Sequence, residues 1–250
     1  MNTLFIGKNF VELAEVDSTN SFAAALLANR PADGTVVFAK HQTAGRGQQG
    51  SIWTAAAGLN LTFSLILYPN FLAARQIFLL NKLVTCALRD TVATFVPACK
   101  VQIKWPNDIL IDGKKVSGIL IETNLEKNSI RSAVIGIGLN VNQQDFEPTL
   151  HGKATSLALS ANHEFEPKTV LDGLLERIEA GYLAIRAGRN AGIEHAYLQN
   201  LYAYQEDTLV EIDGRQQTVH VVGVDPDGRL AVQQGGKLYF YAVKEIKFCL

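Results

Sequence analysis

The order of apolar and polar residues along the chain divides it into short strands, a few helices and turn-rich connections. FVELAEV (10–16) reads as a strand that ends at Asp17-Ser18-Thr19-Asn20. These are helix N-cap residues, so SFAAALLANR after them predicts a short helix closed by Pro31. TVVFAKH (35–41) is a buried strand rich in β-branched residues, and LNLTFSLIL (59–67) is another. Between Pro69 and Pro97, Ile77, Leu80, Val84, Leu88, Val92 and Phe95 recur at helical spacing, which predicts a long helix with one buried face. VQIKW is a short strand stopped by Pro106. ILIDGKKVSGILIE predicts a hairpin about Asp112-Gly113, and RSAVIGIGLNVN (131–142) a further strand.

Two more helices are expected, over about 168–186 and 190–204. From Glu206 the texture changes to short strands, with turns at Asp213-Gly214, Asp225-Pro226-Asp227-Gly228 and Gly235-Gly236. The expected class is α+β: a mixed β-sheet flanked by helices over 1–205, followed by a small β-barrel over 206–250.

Composition narrows the function classes. Apolar residues make up 48% and charged residues 19% of the 250, which fits a globular chain with a real core and argues against disorder. The formal net charge of -1 provides no overall field toward nucleic acid or a membrane, so any anionic ligand must meet local cations. Cys86, Cys99 and Cys249 lie far apart, and the five histidines have no ligand spacing, so no fixed metal site is expected. No leader peptide and no run of membrane-spanning length is read, which makes a cytoplasmic protein the expectation.

HQTAGRGQQGSIW (41–53) contains Gly45-x-Gly47-x-x-Gly50, a literal match to the dinucleotide fingerprint. That fingerprint needs a strand before it, a helix after it and an acid about 20 residues on. Here another strand follows, and the position of the acid holds Asn70. The Rossmann reading fails, and no Gly-Lys-Ser/Thr makes it a P-loop. Two readings stay open: a mobile surface turn, or a loop whose backbone N–H groups and Arg46 gather around an anion.

Other segments carry similar alternatives. In AVIGIGLNVN, Val134, Gly136, Gly138, Asn140 and Asn142 share one strand face. Paired glycines there suit either a ligand wall with a polar end or the close packing of a neighbouring helix. Lys115 reads as a solvated edge guard or as a site cation. Lys104 emerges opposite Val101, Ile103 and Trp105, and Asn107-Asp108 form the turn after it.

Together these segments resemble the biotin protein ligase family. DSTNS (17–21), QTAGRGQQGSIW (42–53), KWPNDIL (104–110), KKVSGILIE (114–122) and GIGLNVN (136–142) occur in family order across most of residues 10–145. The resemblance implies a class II synthetase-like catalytic domain and a C-terminal SH3-like barrel. It implies activation of biotin with MgATP to biotinyl-5′-AMP, then transfer to a lysine of a biotin carboxyl carrier domain, as in acetyl-CoA carboxylase. Ser18, Thr19, Asn20 and Gln42 would meet the ureido ring. Gly45, Arg46, Gly47 and Gln48 would close over biotin, and Lys115 would contact the carboxyl–phosphate region. Arg46 and Lys115 would be the catalytic pair. Trp53, Lys104, Asn107 and Asn140 would belong to the nucleotide side.

Many family members have a second arginine where this chain has Gln48, so retention of the adenylate would rest on Arg46, Lys115 and packing. Some relatives carry an N-terminal helix-turn-helix domain; the 17 residues before Ser18 are too few for one, and no operator binding is expected. A monomer and a homodimer are equally compatible with the sequence. Two other readings are open: a lipoate or octanoate ligase, which would want an apolar tunnel where Ser18-Thr19-Asn20 and Gln42 are polar, and a non-catalytic biotin-binding module.

Overall fold

The computed structural model describes residues 2–249. Seven strands form a mixed sheet in the order β1-β2-β3-β7-β6-β5-β4. They are β1 (Phe10–Val16), β2 (Thr35–Gln42), β3 (Leu61–Leu67), β4 (Val101–Lys104), β5 (Asp108–Ile111), β6 (Lys114–Glu126) and β7 (Ser129–Leu139). Only β1 and β2 pair in parallel, and the helix α1 (Thr19–Leu26) supplies the crossover that a parallel pair requires. Ser18 caps it by accepting from the Ser21 N–H, as the N-cap pattern predicts. In the β5–β6 hairpin Asp112 and Gly113 both take positive φ, 47° and 79°, as a two-residue type I′ turn requires.

The two sheet faces have different covers. Ile135, Ile137 and Leu139 pack into one continuous core with α2 (Ile77–Phe95) and α4 (Pro167–Arg186). On the opposite face Val37, Ile66 and Val134 meet Ala23 of α1, a smaller cluster that leaves part of that face for a site.

One expected helix is shorter than its pattern, and one short helix is unforeseen. The helix over 190–204 is only α5 (Ala191–Gln199). Beyond it the chain pairs with β4: Ile103 N–H donates to Asn200 O at 2.8 Å and Tyr202 N–H to Ile103 O at 2.7 Å. That tertiary pairing covers a bare sheet edge, which outweighs continued helix. A five-residue helix, α3 (Leu157–Ala161), is capped by Ser156 and is too short to leave a periodic signal.

The C-terminal strands are β8 (Asp207–Ile212), β9 (Arg215–Val224), β10 (Leu230–Gln234), β11 (Lys237–Tyr241) and β12 (Ile246–Phe248), with the expected turns between them. Their order is β11-β10-β9-β8-β12, all antiparallel. The expected closed barrel is not formed by this ladder. β11 and β12 are the two edges, unpaired with each other among the described residues, and the three-residue β12 bonds to β8. Among the described residues no helix is long and apolar enough to cross a membrane.

The second sheet is docked on the first through shared core. Val210, Val221, Val232 and Phe248 join the cluster that includes Ile103 and Trp105. Trp105 Nε1 donates to Gly228 O at 2.9 Å. Gly228 has φ 90°, and a Cβ there would lie 2.5 Å from the Phe78 ring. Gly228→Ala is therefore expected to cost about 1–3 kcal/mol from left-handed backbone and overpacking together. Denaturant unfolding checks this, and an unchanged midpoint would contradict the tight docking.

Candidate functional site

The site begins with three glycines on the sheet face shared with α1. Gly118 of β6 pairs with Gly138 of β7, and Leu120 with Gly136. A Cβ on Gly136 would lie 2.3 Å from Asn20 Oδ1, and one on Gly138 would lie 2.3 Å from the Trp53 indole. The close packing is therefore seen, from Asn20 of α1 at Gly136 and from Trp53 at Gly138. Side chains from elsewhere pack against the bare backbone, and those side chains themselves line a cavity of about 240 Å3.

The polar wall is a linked set of hydrogen bonds. Gln42 Oε1 accepts from the backbone N–H and the hydroxyl of Thr19, at 2.7 and 3.0 Å. Ser64 Oγ donates to Asn20 Oδ1 at 2.6 Å and lies 2.8 Å from Thr19 Oγ1. Asn20 Nδ2 donates to Glu122 Oε2 at 2.9 Å. Thr19 and Asn20 are buried, which they tolerate because these partners replace water, and buried Ser18 has the Ser21 N–H.

The glycine loop is a two-stranded strap. Trp53 N–H donates to Gly45 O at 2.9 Å, Gly47 N–H donates to Ser51 O at 2.7 Å, and Arg46 and Ile52 form an antiparallel bridge. A Cβ on Gly45 would lie 2.2 Å from Trp53 O, so the close approach itself demands glycine. The strap carries Arg46, Gly47 and Gln48 to the cavity. Arg46 pairs with Glu122, Nη2 to Oε1 at 2.6 Å and Nη1 to Oε2 at 3.2 Å.

Lys115 is not on an edge: it pairs with Leu110 of β5 on one side, and on the other its N–H donates to Lys153 O and its carbonyl accepts from Thr155 N–H. The register of β5 against β6 shifts between Ile109 and Leu110, leaving Val116 as an extra residue. A bulge of this kind re-aims side chains. It brings Lys115 onto the face of Asp108 and Gly118: Nζ lies 2.7 Å from Asp108 Oδ1, and a Cβ on Gly118 would lie 3.3 Å from it. The same ammonium sits 5.9 Å from the Trp53 ring centre.

Ile52, Trp53 and Lys115 also line a second cavity of about 510 Å3. Its walls hold Lys104, Asn140, Lys153 and, from the C-terminal sheet, Glu211, Lys247 and Phe248. Val243 and Lys244, between β11 and β12, reach the first cavity, so the C-terminal sheet borders both. Burial lowers the Lys104 ammonium below the usual lysine range; Asp108 at 3.9 Å opposes the shift, while Lys115 and Lys247 add to it. Asn140 donates to Thr155 O at 3.0 Å and keeps a buried Oδ1 without a hydrogen-bond partner among the described residues, as does Trp53 Nε1.

Of the residues picked from sequence, Ser18, Thr19, Asn20, Gln42, Arg46, Gly47, Gln48 and Lys115 converge on the first cavity, with Gly45 shaping the strap behind them. Trp53 divides the two cavities, and Lys104 and Asn140 line the second. Asn107 lies instead on the first, and its side-chain amide donates to Ile119 O, stapling the β4–β5 turn to β6. Sequence reasoning missed Ser64, Asp108 and Glu122. Each had a faint signal: a serine inside an apolar strand, an acid four residues after Lys104, and an acid closing GILIE.

Residues 13–140 match the biotin/lipoate A/B protein ligase family, about half of the chain. The chain belongs to that family. This family member is 37% identical over 186 residues to the bifunctional ligase/repressor BirA of Bacillus spizizenii, covering 73% of this chain and 56% of the relative. It is thus aligned with little more than half the length of that bifunctional protein. It is 31% identical to the biotin–[acetyl-CoA-carboxylase] ligase of Mycobacterium tuberculosis, across 92% of this chain and 86% of that one. The solved biotin protein ligase of Aquifex aeolicus, in complex with biotin and ATP, superposes with a TM-score of 0.81 at 25% identity, covering 97% of this chain and 100% of that one.

The glycine floor of this family member gives a direct structural test. Gly138→Ala must displace the Trp53 indole, because rigid β backbone holds the added methyl group 2.3 Å from the ring. The expected result is a changed tryptophan emission spectrum and a destabilisation of about 1–3 kcal/mol. Unaltered emission and stability would contradict the close approach.

Proposed function

We propose that the chain is a biotin protein ligase. It joins biotin and ATP as biotinyl-5′-AMP, then transfers biotin to a lysine of a biotin carboxyl carrier domain, such as that of acetyl-CoA carboxylase. The observation that carries this reading is the meeting of two unlike cavities at Lys115 and Trp53. One offers, beside Arg46 and Lys115, neutral hydrogen-bonding groups, bare glycine backbone and the apolar side chains of Leu120 and Trp53, a match for a ureido ring and an aliphatic chain. The other offers Lys104, Lys153 and Lys247, a match for a triphosphate.

The chemistry needs no general base in the first step, because a carboxylate near neutral pH is already ionised. Its obstacle is charge. Two like unit charges 4 Å apart repel by about 4 kcal/mol at an effective dielectric of 20. Lys115 stands at the junction where the carboxylate oxygen would attack the α-phosphorus and pyrophosphate would leave, and Arg46 comes from the strap above it. Cations held in place by protein offset charge growing on the phosphoryl oxygens. Mg²⁺ accompanying ATP would neutralise phosphate charge, and Glu211 is the carboxylate on the second cavity's wall that would hold it.

In the second step the acceptor amine attacks the acyl carbon, the bond to the phosphate oxygen breaks and AMP leaves with that electron pair. The strap keeps water from the mixed anhydride until the acceptor arrives. Gln48, neutral where many relatives are basic, leaves Arg46 and Lys115 to hold the intermediate. Residues 1–205 would be the catalytic unit and 206–250 an SH3-like unit that walls the nucleotide cavity.

Pyrophosphate release with biotin and MgATP tests the reading; no release with biotin, or faster release with lipoate, would contradict it. Lys115→Ala is expected to lower adenylate formation by about 2–4 kcal/mol of transition-state stabilisation. Unchanged turnover would remove Lys115 from that role. The lowered Lys104 ammonium pKa gives a pH signature: its charge is present below that pKa and lost as pH rises through it. ATP affinity should therefore weaken at a lower pH than an ordinary lysine would dictate, and Lys104→Arg should abolish this alkaline loss. Binding titrations at rising pH measure it; identical profiles for the two proteins would count against Lys104 as a phosphate contact.

A further inference from the structure

Glu122 sits on β6 opposite Val134, beyond the glycine floor, with both carboxylate oxygens in use. Oε1 accepts from Arg46, and Oε2 accepts from both Arg46 and Asn20. One carboxylate therefore connects the strap to the polar wall. Its two partners are held differently. Asn20 is anchored a second time through Ser64, whereas both terminal nitrogens of Arg46 point the paired fork at Glu122.

A guanidinium presents its paired terminal nitrogens to one carboxylate or phosphate at a time. While Arg46 is forked onto Glu122, it cannot offer that same face to a ligand. The pair is about half exposed, with side-chain exposures of 46% and 36%, so water and salt weaken it and exchange is cheap. We propose that Glu122 is a positioning residue that works as a latch. It stores Arg46 while the cavity is empty, then yields it to the anionic end of the ligand, and keeps Asn20 in place throughout. Strap closure is then an exchange of one anion for another. The identity of that anion, the carboxylate of biotin and then the phosphate of its adenylate, rests on the proposed ligase function.

Glu122→Gln separates the two jobs, since its amide oxygen still accepts from Asn20 while its charge is gone. Trypsin cleavage after Arg46 in the ligand-free protein reports release of the strap. The latch requires cleavage in Glu122→Gln to be faster than in wild type by about two- to fivefold, the worth of a partly exposed ion pair. Calorimetry with biotin and with its neutral alcohol analogue, biotinol, reports the exchange itself. Preference for the carboxylate over the alcohol should rise by about the same factor in Glu122→Gln. It should be unaffected by that substitution when Arg46 is already Gln. Equal cleavage, or an unchanged preference, overturns the latch. Should wild type bind neither compound, the ligase reading fails, and the cleavage comparison still decides whether Glu122 holds the strap.

Discussion

A binding cavity against the face of a β-sheet needs room that side chains ordinarily fill. Here the room comes from backbone approach. Gly136 and Gly138 allow Asn20 and the Trp53 indole to lie against β7, and Gly45 allows the strap to lie against the carbonyl of Trp53. Trp53 is thus fixed at both its ring and its backbone. That placement sets it on the wall between the two cavities, with the strap paired to its backbone at Gly45. One added methyl group at Gly136, Gly138 or Gly45 would contest the whole arrangement.

Charge follows a parallel logic. With a net charge of only -1, the chain draws no anion by its overall field, and cations must be placed locally. The structure places them beside carboxylates: Arg46 on Glu122 and Lys115 on Asp108, with Lys104 nearby. Such pairs keep flexible cations oriented without the desolvation cost of a lone buried charge. In the proposed function an incoming carboxylate or phosphate would compete with a resident one, so affinity would depend on differences between pairs. Asp108 and Glu122 are accordingly as much part of the candidate site as the cations they hold.

The elements easiest to read in the sequence were those with local causes. β1, β2 and the Asp112-Gly113 turn follow from side-chain pattern and backbone preference, and the Ser18 cap from one hydroxyl. The polar residues of the first cavity were also legible, because five separate segments carried them in a recognisable order. Long-range causes left little trace. The end of α5 is decided by pairing with Ile103, about 100 residues away in sequence, and the bulge at Val116 by the register of β5. Asp108 and Glu122 acquire meaning only when the bulge and the strap bring cations to them. Asn107 combines two positions the sequence does not connect: it lines the first cavity, and its amide ties the β4–β5 turn to Ile119.

The most direct measurement is a crystal structure with biotin and a non-hydrolysable ATP analogue bound together. The expected result places the bicyclic ring among Thr19, Asn20 and Gln42, the triphosphate beside Lys104 and Lys247, and the biotin carboxylate at Lys115 next to the α-phosphate. Biotin bound away from the face of Gly136 and Gly138, or the two ligands separated by Trp53 with no contact at Lys115, would contradict the account.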